Sequence, residues 1–266
     1  MKLSRRDFIC KSALTTAAAM LGGELTPAQV QAAPKNQPNI LLIMMDQEHM
    51  PPAGYGPNQG MEQGMKEILG FQNITRANTF TKYFPGYLRL RKNGVVLRSH
   101  YTAAAACVPS RACIMTGSYT TGVDQTDGIF KSADEVNWLD SKGTPTIGDW
   151  FRAAGYTTHY FGKWHVSEAS APDYLQPWGF SDWEKSYPEP HGKDANNMGV
   201  YRDVGFADLT AQFLKERGKN KSKSKAPWFA VSSLVNPHDI SMWPTPWTLP
   251  ARQGVVPWPA FPPPPD

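Results

Sequence analysis

Three apolar stretches stand out along a chain that is otherwise mixed in polarity. The first, PNILLIMMD from Pro38 to Asp46, is a continuous apolar run closed by a carboxylate, the pattern of a strand buried on both faces. The second and third, YTTHYFGKWH (Tyr156 to His165) and PWFAVSSLV (Pro227 to Val235), are rich in β-branched and aromatic residues and also read as strands. VVLRSHY, from Val95 to Tyr101, alternates as a strand would. Helical signals fall between these runs. In TPTIGDWFRAAG, Thr144 can cap a helix, Pro145 suits its first turn and Gly155 ends it. A shorter helix is predicted near Tyr87 to Lys92, stopped by Asn93-Gly94, and a longer one from about Asp203 to Arg217. Residues 48 to 78 have little periodicity and read as loop with some helix. Strands alternating with helices predict an α/β fold with a mainly parallel central sheet flanked by helices.

The two ends of the chain depart from this pattern. SRRDF places Arg5 and Arg6 ahead of the apolar run Ala13 to Leu21, and small residues follow at VQAAP. A cationic start, a short apolar middle and a small-residue exit form a secretory signal, with cleavage after Ala32 or Ala33. The paired arginines followed by Phe8 point to the twin-arginine route, and the apolar run is too short for a permanent membrane span. At the other end, PTPWTLPARQGVVPWPAFPPPPD can hold neither helix nor central strand. It reads as a surface excursion leading into further protein.

Composition adds little beyond excluding some partners. Of the formal net charge of +4, the first thirty-two residues supply four basic and two acidic groups, leaving 4 − 2 = +2. No general basic field indicates nucleic acid, and the lysine-rich stretch GKNKSKSK reads as a solvated connector. Of three cysteines, Cys10 lies in the signal. Cys107 and Cys113 are too few for a disulfide framework, and six residues apart across a helix start is poor geometry for a bridge.

Reactive side chains gather at the predicted strand ends, where sites collect in open α/β sheets. Asp46 ends the first strand, as a turn or capping aspartate would too. Lys163 and His165, two apart, would share one face of extended chain while Trp164 takes the other. His238 and Asp239 follow Pro237 at the end of the third strand. Cys107 opens CVPSRACIMTG just ahead of a helix whose first turn suits Pro109. The thiol is either a small buried residue or a reactive one, exposed and lowered in pKa by an electropositive helix start.

CVPSRACIMTG resembles the sulfatase signature, in which cysteine, any residue, proline, serine, arginine, four further residues, threonine and glycine follow in order. Cys107, Pro109, Ser110, Arg111, Thr116 and Gly117 match it. NILLIMMDQ, GKWH and NPHD resemble three further blocks of that family, in the same order, over roughly residues 38 to 245. The resemblance implies an alkaline-phosphatase-like α/β fold, with residues 1–33 a signal peptide and 34–266 the N-terminal portion of the catalytic domain. It implies hydrolysis of sulfate monoesters, on small molecules or glycans, by a formylglycine that a maturation enzyme makes from Cys107 before twin-arginine export to the periplasm or beyond.

By similarity, one hydroxyl of the hydrated aldehyde attacks sulfur and the other collapses to release sulfate. Arg111 would hold those hydroxyls, and Lys163 would bind a sulfate oxygen. His165 would assist the collapse, and His238 would contact sulfate and help protonate the leaving alcohol. Asp46, Gln47 and the oxidised Cys107 would ligate a divalent cation, usually calcium in this family. Asp46-Gln47 departs from the two consecutive aspartates of many members and looks like the branch holding choline-sulfatase-like enzymes and phosphonate monoester hydrolases. A phosphonate or phosphodiester hydrolase, or an inactive sulfatase-like fragment, is therefore the alternative. The second pair of metal ligands expected further along the chain has no match here. Trp178, Trp183 and Tyr187, with the Trp-rich tail, would line a sugar or aryl subsite or else belong to the core.

Overall fold

The computed structural model describes residues 37–48, 62–97, 99–123, 137–189, 198–219 and 226–239. The expected signal, the lysine-rich connector beyond Lys219 and the Pro- and Trp-rich end lie outside them. Among the described residues three parallel strands form the sheet: β1 (Ile40–Asp46), β2 (Thr157–Gly162) and β3 (Trp228–Pro237), in the order β1-β3-β2. With β3 in the middle and all strands parallel, their carboxyl ends share one edge. Among the described residues six helices accompany them: α1 (Gln63–Leu69), α2 (Pro85–Lys92), α3 (Cys107–Thr116), α4 (Thr120–Val123), α5 (Ile147–Ala153) and α6 (Gly199–Lys219), with short 3-10 turns between.

The alternation of side chains along the strands divides the core. Tyr160, Phe229 and Val231 face a large cluster with Ala112 and Met115 of α3 and with Trp164, Phe180 and Trp183. Phe161 and Ala230 face the other way, onto Phe213 of α6. On α6, Phe206, Thr210 and Phe213 are buried, spaced four and three apart and so on one face. Each fully buried aromatic of this kind contributes about 1.5–3 kcal/mol of transfer free energy.

Four expectations need correction. β1 is not buried on both faces, since Ile43 and Met45 are 45% and 43% exposed. Its Ile40, Leu42 and Met44 pack on the large cluster, but α6 covers β3 and β2 and reaches only as far as Leu41 on the other side. Residues 95–97 and 99–101 form no strand; Val95 and Tyr101 are 91% and 86% exposed, and no neighbouring strand is present among the described residues to pair with them. The helix after Thr144 begins two positions later than expected, at Ile147, with Pro145 ahead of the cap. Thr146 caps instead, accepting from Gly148 and Asp149 N–H while Asp149 accepts from Thr146 N–H, a reciprocal capping box. β2 stops at Gly162, three residues short of His165.

Gly162 explains that stop. Its φ is 104°, and a Cβ there would sit 1.9 Å from the Ser233 carbonyl oxygen of β3. Only glycine can hold this conformation at such an approach. The chain is thereby turned out of the sheet at the point where Lys163 begins. Gly162→Ala is expected to destabilise the fold by at least about 2 kcal/mol through backbone strain, measured by urea denaturation. An unchanged midpoint would show that the close approach does not constrain the chain.

Candidate active site

The signature stretch folds as α3. Cys107 is its first residue, after Ala106, which offers no side-chain cap. Pro109 lies in the first turn, where its missing N–H belongs to the four that have no helical partner anyway. Gly117 closes the helix in the left-handed region at φ 70°, donating to the Cys113 carbonyl. Thr116 Oγ1 donates to the Ala112 carbonyl at 2.7 Å and accepts from Ser118 N–H at 3.2 Å. The signature's first and last residues thus begin and terminate one helix. Cys107 and Cys113 are both free thiols.

Arg111 points from α3 into the gap beyond β2 and β3. It is 3% exposed. Its Nη1 donates to the Lys163 carbonyl at 2.7 Å and to Ser233 Oγ at 3.0 Å, and Nη2 lies 3.6 Å from Asp46 Oδ2. Its Nε–H is buried with no partner among the described residues, a donor left for an acceptor. Lys163, equally buried, makes a short ion pair through Nζ with Asp46 Oδ2. Tyr160, three residues earlier, donates its hydroxyl to the Lys163 carbonyl at 2.8 Å, and burial pushes its pKa up to about 12.

Three potential ligand atoms converge at the same edge. An Asp46 carboxylate oxygen, the Cys107 sulfur and a His238 ring nitrogen all lie within 4.8 Å of one another. Strand register accounts for this. Asp46 sits opposite Pro237, and Leu234 to Asn236 of β3 bulge opposite Met45 alone, which carries His238 over the end of β1. Gln47 follows Asp46 in the left-handed region at φ 62° with its side chain exposed. His165 is also left-handed at φ 50°, so the two-residue alternation expected of Lys163 and His165 fails. Trp164 is fully buried in the core, and the His165 ring packs against Trp138 at 5.9 Å.

The electrostatics differ from expectation at the cysteine. Burial pushes the Cys107 thiol up, and the Asp46 carboxylate adds to this, more than the opposing Lys163 and Arg111 remove. The thiol is neither exposed nor acidified, because it lies half-buried beside the Asp46 carboxylate. Burial also acts on Asp46, but Arg111 and Lys163 outweigh it and hold its carboxyl below the usual range. His238 is lowered by burial and by Lys163, against Asp46 and Asp239.

A divalent cation can be tested against these donors. Hard cations take six to eight oxygens, and in the convergence of Asp46, Cys107 and His238 only the Asp46 carboxylate is such a donor, with Gln47 next to it in the chain. Asp46 already carries two cationic partners, so a metal here would share its carboxylate with them.

The sulfatase family model matches residues 38–256. The chain belongs to the sulfatase family. It is 26% identical over 234 residues to arylsulfatase H of Canis lupus familiaris, covering 84% of this chain and 34% of that protein. With N-acetylglucosamine-6-O-sulfatase of Bacteroides thetaiotaomicron it shares 27% identity over 185 residues, covering 62% and 30%. The chain thus spans about a third of the length of these relatives. Among solved structures, Ps i-CgsB in complex with k-i-k-neocarrahexaose superposes with a TM-score of 0.51 at 20% identity, over 79% of this chain and 49% of that one. The fold is the alkaline-phosphatase-like α/β fold of sulfatases.

Several residues of the site escaped sequence reasoning. Ser233 was visible as a polar break in an apolar strand. Glu189, whose carboxylate accepts from Trp164 and His165 N–H at 3.1 Å each, sits between prolines with no periodic signal. Of the candidate aromatics, Trp183 is core at 1% exposure and Trp178 packs against that core, leaving Tyr187 half exposed.

Two outcomes follow for this cluster. Lys163→Met leaves the buried Asp46 carboxylate with Arg111 alone and is expected to cost about 3–5 kcal/mol, checked by chemical denaturation; a loss below about 1 kcal/mol would mean the pair is solvated. Glu189 is raised by burial from 4.5 to about 7. The folded chain therefore binds this proton more tightly than the unfolded chain. The resulting stability is complete below 4.5 and is lost as pH rises through about 7. Glu189→Gln removes that dependence, so the wild type should lose stability relative to E189Q as pH rises across this window, read from paired urea midpoints. A constant difference would contradict the raised pKa.

Proposed function

We propose that the protein hydrolyses sulfate monoesters through a formylglycine made from Cys107, assisted by a divalent cation, calcium by preference. What supports this reading most is the convergence of Cys107, Asp46 and His238 within 4.8 Å at the carboxyl ends of the sheet, with two buried cations beside them. A sulfate ester gathers negative charge on its oxygens and leaving group in the transition state, so fixed cations in a dry site favour its cleavage.

Formylglycine at position 107 would supply, as its hydrate, an attacking hydroxyl and a second hydroxyl whose collapse frees sulfate. The chain's own residues bind and orient. Arg111 is held by the Lys163 carbonyl and Ser233 with its Nε–H still unpaired among the described residues, and that donor suits a hydroxyl on residue 107. Lys163 has three N–H donors, so one can stay on Asp46 while another meets a sulfate oxygen. His238 is kept neutral by burial and Lys163; an approaching sulfate adds the negative charge that lets it hold a proton for the departing alcohol. His165 would take up a proton from the second hydroxyl. Oxidation of Cys107 exchanges a soft sulfur for a hard oxygen, which is what a calcium-class ion with Asp46 and Gln47 requires.

The relatives named as an N-acetylglucosamine-6-O-sulfatase and an ulvan-active sulfatase favour a glycan sulfate ester as substrate, with Tyr187 available to stack on a sugar face. The partners of this reading are a formylglycine-generating maturation enzyme in the cytosol and the twin-arginine machinery, which would deliver the folded protein to the periplasm or beyond. Among the described residues no helix is long and apolar enough to cross a membrane.

The test is co-expression with a formylglycine-generating enzyme. The peptide containing residue 107 should fall in mass by the difference between CH2SH and CHO, and 4-nitrophenyl sulfate should be turned over in the presence of calcium. Cys107→Ala should lower that turnover by about 10³-fold or more. Preference for a phosphonate monoester or a phosphodiester at every pH would replace sulfur by phosphorus as the reacting centre. Aldehyde without turnover of any ester would support an inert sulfatase-like chain.

A further inference from the structure

Two carboxylates make the same contact at two places beside the site. Glu189 Oε1 accepts from Trp164 N–H and Oε2 from His165 N–H, both at 3.1 Å. Asp203 Oδ1 accepts from Val235 N–H at 2.7 Å and Oδ2 from Asn236 N–H at 2.8 Å. Each carboxylate grips two successive backbone amides, and each pair of amides leads into a histidine. His165 is reached directly, and His238 two residues on.

Neither stretch is fixed by regular strand pairing. β2 has ended at Gly162, and the register of β3 with β1 is broken between Ser233 and Pro237. His165 is in the left-handed region, which a side chain with a Cβ holds only where the surroundings impose it. Both grips trace back to the start of α6. Asp203 belongs to that helix, and its neighbour Arg202 donates to the Ser186 and Pro188 carbonyls at 2.6 and 3.3 Å, holding the loop that presents Glu189.

A carboxylate is the side chain this contact requires. It has two acceptor oxygens and no donor, so it satisfies two adjacent N–H groups at once, whereas an amide would set its NH2 against one of them. The choice is costly, since burial raises the pKa of both Glu189 and Asp203. A water or a hydroxyl could satisfy single amides without burying charge.

We propose that Glu189 and Asp203 are positioning residues, paired braces that fix the backbones carrying His165 and His238 and so set where the two imidazoles lie. The braces stand on the contacts above; only the task of the two imidazoles rests on the sulfate-ester reading.

The test uses the whole chain labelled with 15N and on the histidine rings, at about pH 8 so that Glu189 is ionised. Amide exchange and ring signals are compared for wild type, E189Q and D203N. D203N should speed exchange at Val235 and Asn236 by about tenfold or more and shift the His238 ring signal, leaving Trp164, His165 and the β2 amides of Tyr160 and Phe161 as they were. E189Q should give the converse, moving only the Trp164 and His165 amides and the His165 ring. Glu189→Ala and Asp203→Ala, which admit a water, should show the same division more strongly. Faster exchange with unmoved rings would overturn the proposal, as would loss of protection throughout β2, which assigns both residues to general stability. Inorganic sulfate titrated into the same samples should shift the wild-type His238 ring and bind D203N about tenfold more weakly. A wild type that ignores sulfate would count against the sulfate-ester reading, while the exchange and ring data still decide the braces.

Discussion

The buried pairing of Asp46 with Lys163 and Arg111 is the interaction on which the site depends. The three residues come from the end of β1, the exit of β2 and the second turn of α3, separated by more than a hundred positions of chain at the extremes. Two cations and one carboxylate in a nearly dry pocket are stable only if each charge stays near its partner. The cluster therefore ties strand, loop and helix together by electrostatics where the sheet's hydrogen bonds have run out. It also leaves a surplus positive charge, which is the condition under which an anionic group would be drawn in.

Around this cluster the backbone is held by groups that never enter it. Ser233 and Tyr160 contact Arg111 and the Lys163 carbonyl, and Ser186 Oγ accepts from Gly162 N–H at 2.8 Å. The first turns of α6 reach both neighbouring loops at once, through Arg202 and Asp203. One helix thus references two loops to a common frame, each through its own side chain. The large aromatic cluster on the opposite face, with Trp164 at its centre, anchors the same segment from beneath.

Much of this was legible in the sequence, for reasons that differ from residue to residue. The strands at Ile40–Asp46 and Trp228–Pro237 follow from apolar runs, and the parallel order follows from helices lying between them. Asp46, Cys107, Arg111, Lys163 and His238 are brought together because each lies at a strand end or a helix start, which local pattern marks. The Cys107 environment was not legible: the thiol's pKa depends on burial and on Asp46, and a helix start alone says nothing about what roofs it. Nor was His165 rightly oriented, since the break at Gly162 arises from the Ser233 carbonyl, a contact across seventy residues. Glu189 and Asp203 were invisible as site residues because they act through backbone amides, which carry no residue code. The strand expected from Val95 failed because alternation states a preference for a sheet edge without supplying the edge.

The eleven residues from Cys107 to Gly117 are used twice over. In the folded chain, Val108, Pro109, Arg111, Ala112, Cys113 and Met115 are buried, and Arg111 is occupied by contacts from three other segments. Any macromolecule that must grip Cys107 and Arg111 together competes with the fold for the same atoms. On the formylglycine reading, an enzyme that oxidises this cysteine would have to reach it before α3 packs Ala112 and Met115 into the core.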